Sequence, residues 1–147
     1  MVYREEKRDL FEVPHDYYLA HCISSDYALG AGIAVEFNRR FDMRHKLKTQ
    51  ANGYWEHMKE NGKKGDCILI DRVLNLITKE KYWNKPTYES MRHALEMMRV
   101  VCGANQIEKV AMPVIGCGLD RLQWDKVSEI IKDVFEYEDI EILVCIR

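Results

Sequence analysis

The chain has 147 residues, close to half of them apolar and about a third charged, with a formal net charge of -2. That length buries a proper core without disulfides or a structural metal. Near-neutral charge argues against a protein that grips nucleic acid non-specifically through its phosphates, since that task needs a basic surface.

No apolar run approaches the length of a membrane span, and the opening MVYREEKRDL lacks the apolar core of a signal peptide. The five cysteines, Cys22, Cys67, Cys102, Cys117 and Cys145, are odd in number and form no CxxC or Cys/His metal spacing. They read as free thiols in a reducing compartment, which predicts a cytoplasmic protein, or a nuclear one in a eukaryote.

In chain order, residues 17–24 (YYLAHCIS) are apolar and rich in β-formers, which predicts a buried strand. The turn LGAG at 29–32 follows it. Ile33, Ala34, Phe37 and Phe41 then recur at helical spacing, with Glu36, Asn38, Arg39 and Arg40 between them. Residues 67–70 and 73–78 are short β-rich runs split by Asp71 and Arg72, the pattern of a hairpin. Pro86 and Thr87 open a helix whose stripe is Met91, Ala94, Leu95, Met98, Val101 and Cys102. Residues 109–114 (KVAMPV) predict another strand, ending in the turn GCG at 116–118. Val127, Ile130, Ile131, Val134 and Phe135 mark an amphipathic helix, and residues 140–146 a closing strand. Alternation of this kind predicts an α/β sheet covered by helices, and the hairpin makes the sheet mixed.

The two glycine turns stand at the carboxyl ends of apolar strands. Backbone amides in such turns, with the positive end of a following helix, form an anion site, and glycine lets the ligand approach closely. Facing one another, they could hold a diphosphate without Lys or Arg. Each turn alone reads equally as plain geometry. The GxGxxG dinucleotide fingerprint is absent from both.

Three blocks carry a more specific signal: LAHCISSDYALGAGIAVEFNRRF at 19–41, NLITKEKYWNKPTYES at 75–90 and AMPVIGCGLDRLQW at 111–124. They resemble the macrodomain family, in particular the class of terminal ADP-ribose protein glycohydrolase, and the similarity runs over essentially the whole chain. The resemblance implies a single three-layer α/β/α macrodomain over residues 1–147 with a central mixed sheet. It implies a monomer that binds ADP-ribose and needs neither metal nor cofactor. ADP-ribose would lie along the carboxyl ends of the central strands. Asp9, assisted by the Leu10 backbone, would hold the adenine. Ser24 with Gly30, Ala31, Gly32, Ile33 and Ala34 would line the diphosphate and distal ribose. Val114, Ile115, Gly116, Cys117, Gly118 and Leu119 would close from the other side. Lys79 and Asp120 match the family's catalytic pair. The family pattern is broken at Arg8, where glycine is usual, at Ser25, at Val114, and in the final VCIR.

Spacing by itself reads Lys79 as a solvated lysine beside Glu80, and Asp120 as a capping carboxylate ahead of a helix. Their motifs reverse both readings. A lysine closing an apolar strand is partly desolvated, which favours the neutral amine that attacks the anomeric carbon of ribose or captures its open aldehyde as a Schiff base. An aspartate beside the glycine turn supplies the proton to the leaving carboxylate and later takes one from water. The implied reaction is hydrolysis of an ester between ADP-ribose and an acidic protein side chain. Release of ADP-ribose from a nucleic-acid base, deacetylation of O-acetyl-ADP-ribose, and binding without turnover stand beside it.

His21 and Cys22 look like a nucleophile with its base, but neighbours on a strand point to opposite faces. Cys117 reads as a small packing residue or a reactive loop thiol. His15, His45, His57 and His93 lack metal spacing. The aromatic pairs Tyr54–Trp55 and Tyr82–Trp83 read equally as cleft rim or ordinary packing.

Overall fold

The computed structural model describes residues 1–52 and 65–147. Six strands form one sheet: β1 (Val2–Lys7), β2 (Tyr18–Ser24), β3 (Asp66–Ile70), β4 (Val73–Lys79), β5 (Lys109–Met112) and β6 (Glu141–Ile146), in the order β1-β6-β5-β2-β4-β3. All neighbours pair in parallel except β3 with β4, the hairpin expected from the sequence. Four helices are described: α1 (Ile33–Phe41), α2 (Met43–Gln50), α3 (Tyr88–Ala104) and α4 (Trp124–Val134).

Alternation along the buried strands divides the core into two layers. Ala20, Leu74, Leu76, Val110, Met112, Ile142 and Val144 pack with the apolar stripes of α3 and α4. Leu19, Ile23, Val73, Ile77, Ala111 and Leu143 pack with Phe37 of α1 and with Met43 and Leu47 of α2. Successive strand residues face opposite ways, so a sheet buried on both sides reads as a continuous apolar run. The result is the three-layer α/β/α arrangement.

Two element ends have a clear local cause. Thr87 caps α3: its hydroxyl accepts from the Ser90 N–H while the Ser90 hydroxyl accepts from the Thr87 N–H, each at 3.0 Å. β5 stops at Met112 instead of running to Val114, because Pro113 has no N–H to give the ladder. The sequence patterns do not foresee β1 or α2. VYREEK is mostly exposed at the sheet edge, and α2 buries only Met43 and Leu47. The second glycine turn also differs from expectation. α4 begins at Trp124, well beyond Gly118, so only the first turn leads straight into a helix.

Candidate active site

Parallel β2, β4 and β5 deliver their carboxyl ends to one edge of the sheet, the usual ligand edge of an α/β fold. Lys79 is the last residue of β4 and stands opposite Ser24 of β2, just past a register shift between Ile23 and Ser24. Its strand end is pinned by the residue that follows β2. The Ser25 N–H donates to the Lys79 carbonyl at 3.0 Å, and the Ser25 hydroxyl donates to the Glu80 carbonyl at 2.7 Å. At this departure from the family pattern, a small hydroxyl secures the strand that carries the amine.

Lys79 Nζ donates to Asp120 Oδ1 at 2.6 Å, and only 15% and 17% of the two side chains are exposed. Lys79 is therefore no solvated surface lysine. Asp120 caps no helix, since the residue before α4 is Gln123.

Three adjoining cavities make a groove past this pair. The first, about 710 Å³, is lined at one end by Asp9, Leu10, Cys145 and Arg147, and at the other by Gly32, Ile33 and Val114. Gly32, Ile33 and Val114 also line the second, about 330 Å³, with Ala31, Ile115, Gly116, Gly118, Leu119, Lys79 and Asp120. The third, also about 330 Å³, takes in Ser24, Gly30, Ala31 and Ala34 and again reaches Lys79. The structure thus gathers the predicted residues on one groove, apart from the side chain of Cys117. That thiol donates to the Ile115 carbonyl and packs on the α3–α4 core, and burial raises its pKa to about 11. It is the packing residue, not a reactive thiol.

The first turn suits an anion. Gly32 precedes α1 with φ +62° and offers no side-chain cap, so the Ile33 and Ala34 amides have no capping acceptor where both residues line the groove, while the Val35 N–H donates to the Gly32 carbonyl at 3.2 Å. In the second turn it is Gly116, at φ +73°, that needs to be glycine: a Cβ there would lie 2.7 Å from Met91 Cε. Gly118 has open space around it.

At the far end, Asp9 Oδ1 accepts from the Phe11 N–H at 2.9 Å and Oδ2 accepts from Arg147 Nη2 at 3.0 Å. The Phe11 amide first, then Arg147, hold this carboxyl below its ordinary pKa against the opposing effect of burial. Arg8 lines the same cavity and pairs with Glu6, and Arg40 lies over the Phe11 ring at 4.4 Å. Arginines thus surround this end of the groove.

Asp26 is the organising residue that periodicity and motif spacing miss. Oδ1 accepts from the Ser24 hydroxyl and the Ala28 N–H, while Oδ2 accepts from the Tyr82 N–H. One carboxylate thereby ties the first turn to the loop after β4. Burial raises its pKa, but these hydrogen bonds and the Lys81 charge outweigh that and leave it lowered. The signal in the sequence is the short SSD run, where an aspartate folds back on the amide two residues ahead.

His21 and Cys22 do point to opposite faces. His21 stacks on Phe37 at 3.9 Å and bonds Asn75 at 2.6 Å, while Cys22 lines the groove with its thiol pKa pushed up by burial. The five cysteines are free, and among the described residues no cluster of His, Cys, Asp and Glu could hold a metal. No described helix is long and apolar enough to cross a membrane. Tyr54, Trp55 and His57 lie outside the described residues.

No family model matches the sequence. Curated relatives do. The bovine ADP-ribose glycohydrolase OARD1 is 44% identical over 142 residues, covering 94% of this chain and 87% of the relative. The human protein of the same name is 43% identical with the same coverage. Among solved structures, the DarG macrodomain of Thermus aquaticus superposes with a TM-score of 0.78 at 21% identity, covering 98% of this chain and 97% of that one. The Mycobacterium tuberculosis DarG macrodomain gives 0.79 at 20% identity with the same coverage. A Thermosipho africanus DarTG, solved with ADP-ribose, gives 0.71 at 16% identity over 99% of this chain and 42% of that one. With the two-layered core, the groove along the strand ends and these relatives together, the chain belongs to the macrodomain family and is akin to the ADP-ribose glycohydrolases.

Proposed function

We propose that this protein, an ADP-ribosyl hydrolase by kinship, releases ADP-ribose from its ester with acidic protein side chains, and that Lys79 and Asp120 perform the chemistry. The observation that carries the reading is the 2.6 Å contact between Nζ and Oδ1 inside a groove bounded by two backbone-amide turns. The turns hold the diphosphate, the Asp9 end takes the adenine, and the distal ribose reaches the pair.

The direct hydrogen bond gives the ammonium proton a path to Asp120. The freed amine attacks C1″, the C1″–O bond breaks, and the departing carboxylate takes the proton from Asp120. Asp120, again a carboxylate, then draws a proton from water as it adds to C1″, and the amine leaves with that proton. Atoms and charges balance over the two steps. A carboxylate is a good leaving group, so one weak acid suffices. The same bond is broken in the 1″-acetyl ester of ADP-ribose, which therefore serves as a minimal substrate.

The deciding experiment gives the protein glutamate-linked and thymidine-linked ADP-ribose in parallel. Release from the glutamate ester is expected. Release from thymidine alone would replace this reading with nucleic-acid-base deribosylation, and tight ADP-ribose binding with no release from either would make the protein a reader.

A further inference from the structure

An ADP-ribosyl hydrolase must accommodate more than ADP-ribose, because its substrate continues beyond C1″. Beside the Lys79–Asp120 pair, the groove opens between the loop after β4 and the second glycine turn. Tyr82, Lys85 and Leu119 line that opening together with the pair. Tyr82, Trp83 and Leu119 are 63%, 64% and 66% exposed, an unusual concentration of large apolar surface beside a polar site. Tyr82 and Leu119 line these cavities and Trp83 packs against Tyr82 beside them, whereas the other exposed large apolar residues described, Val2, Val35, Val100 and Tyr137, line none of the three.

The rim is held in place. The Tyr82 N–H is fixed by Asp26, and the Lys81 N–H donates to Asn84 Oδ1 at 2.8 Å. Lys85 Nζ donates to the Leu119 carbonyl at 2.8 Å, joining the two banks. The Trp83 ring meets Tyr82 edge-on, with centroids 4.9 Å apart and planes at 86°. Exposed aromatics on a fixed loop present binding area at little further entropic cost.

We propose that Tyr82, Trp83 and Leu119 form an aglycone subsite, which holds the polypeptide on either side of the ester-linked acidic residue. A large apolar side chain next to that residue packs on Trp83. Exposed Lys81 and Lys85 favour an acidic neighbourhood. The opposite bank is the aliphatic Leu119, which packs on an apolar peptide side chain and offers a base neither a stacking ring nor a hydrogen-bonding side chain. That bank suits a peptide better than a nucleic acid. The subsite rests on the ester-hydrolase reading above and adds to it the part of the substrate that is recognised.

Trp83→Ala tests it, with Trp83→Phe as the conservative partner, on three substrates: the 1″-acetyl ester, an acidic peptide with leucine beside its ADP-ribosylated glutamate, and a thymidine-linked oligonucleotide. The expected result is a KM for the peptide raised about tenfold, the scale of a lost tryptophan anchor. Its kcat and the turnover of the acetyl ester stay unchanged, and phenylalanine restores most of the loss. An unmoved peptide KM while wild type cleaves both esters overturns the subsite alone. A parallel loss on acetyl and peptide esters, or a loss confined to the oligonucleotide, also overturns it. Wild type inert toward both esters overturns ester hydrolysis itself and the subsite with it.

Discussion

Lys79 and Asp120, 41 residues apart in the chain, meet at 2.6 Å because β4 and the turn after β5 end at the same edge of the sheet. Removing either partner separates chemistry from binding. Lys79→Ala should lower hydrolysis of a glutamate ester by about a hundredfold to ten-thousandfold, the usual weight of a positioned catalytic group. ADP-ribose binding should persist, since the proposed diphosphate site is built from backbone amides. Asp120→Ala should likewise lose turnover. Single-turnover release, measured beside calorimetric binding, checks both; unchanged hydrolysis by a folded Lys79→Ala protein would leave Asp120 and water as the mechanism.

ADP-ribose should bind one to one and raise the melting temperature, because only the native groove presents both turns. At a hundredfold excess over Kd the gain is about 2.7 kcal/mol, or roughly 2–4 °C for each kcal/mol in a chain of this size. AMP lacks the second phosphate and the distal ribose and should bind far more weakly. Equal titration curves for the two ligands would remove the two-turn diphosphate site.

The second turn separates ligand loss from fold loss. Gly118 has open space for a side chain, so Gly118→Glu should fold, yet its carboxylate should repel the diphosphate and abolish binding. Gly116→Ala behaves differently. Its φ of +73° and the nearby Met91 and Leu122 atoms should cost about 1–2 kcal/mol of stability. Chemical denaturation and ligand titration of the two variants should show opposite defects.

His21 should make the protein acid-sensitive well above the carboxylate range. Burial, only partly opposed by the bond to Asn75, lowers its folded pKa from 6.5 to about 4. Between those values the unfolded chain binds a proton that the native state refuses, so stability falls as pH drops below 6.5. The loss should reach about 2 kcal/mol by pH 5. Urea midpoints at pH 7 and pH 5 for wild type and His21→Gln check this: the variant should show a smaller difference, and an equal one would reassign the sensitivity to other groups.

What the sequence displayed, and what it hid, follows from where each residue lies. β2, β4 and β5 are buried on both faces and appear as largely apolar runs with only an occasional polar residue such as His21 or Asn75, so their loops could be placed. β1 lies at the sheet edge with exposed charges, and α2 buries two side chains, so neither has enough periodicity to be noticed. Lys79 and Asp120 look like ordinary charges until their motifs are recognised, because their partnership is made by topology. Asp26 is subtler still. It joins two loops through backbone N–H groups, and any aspartate in a turn has the same appearance in one dimension.

The pairing of β1 with β6 ties one edge of the sheet to contacts far apart in sequence. Val2 lies against Glu141 and Lys7 against Ile146, so β1, at the sheet edge, pairs with a strand on the far side of all the others in chain order. Closing so long a loop carries an entropic cost, yet it also joins Asp9 to Arg147 at the far end of the groove. The Lys79 strand is built on nearer neighbours, β2 and β3, whereas this end of the groove waits for the β1–β6 edge to close. Competence to bind the whole ligand therefore arrives in one step, with that closure.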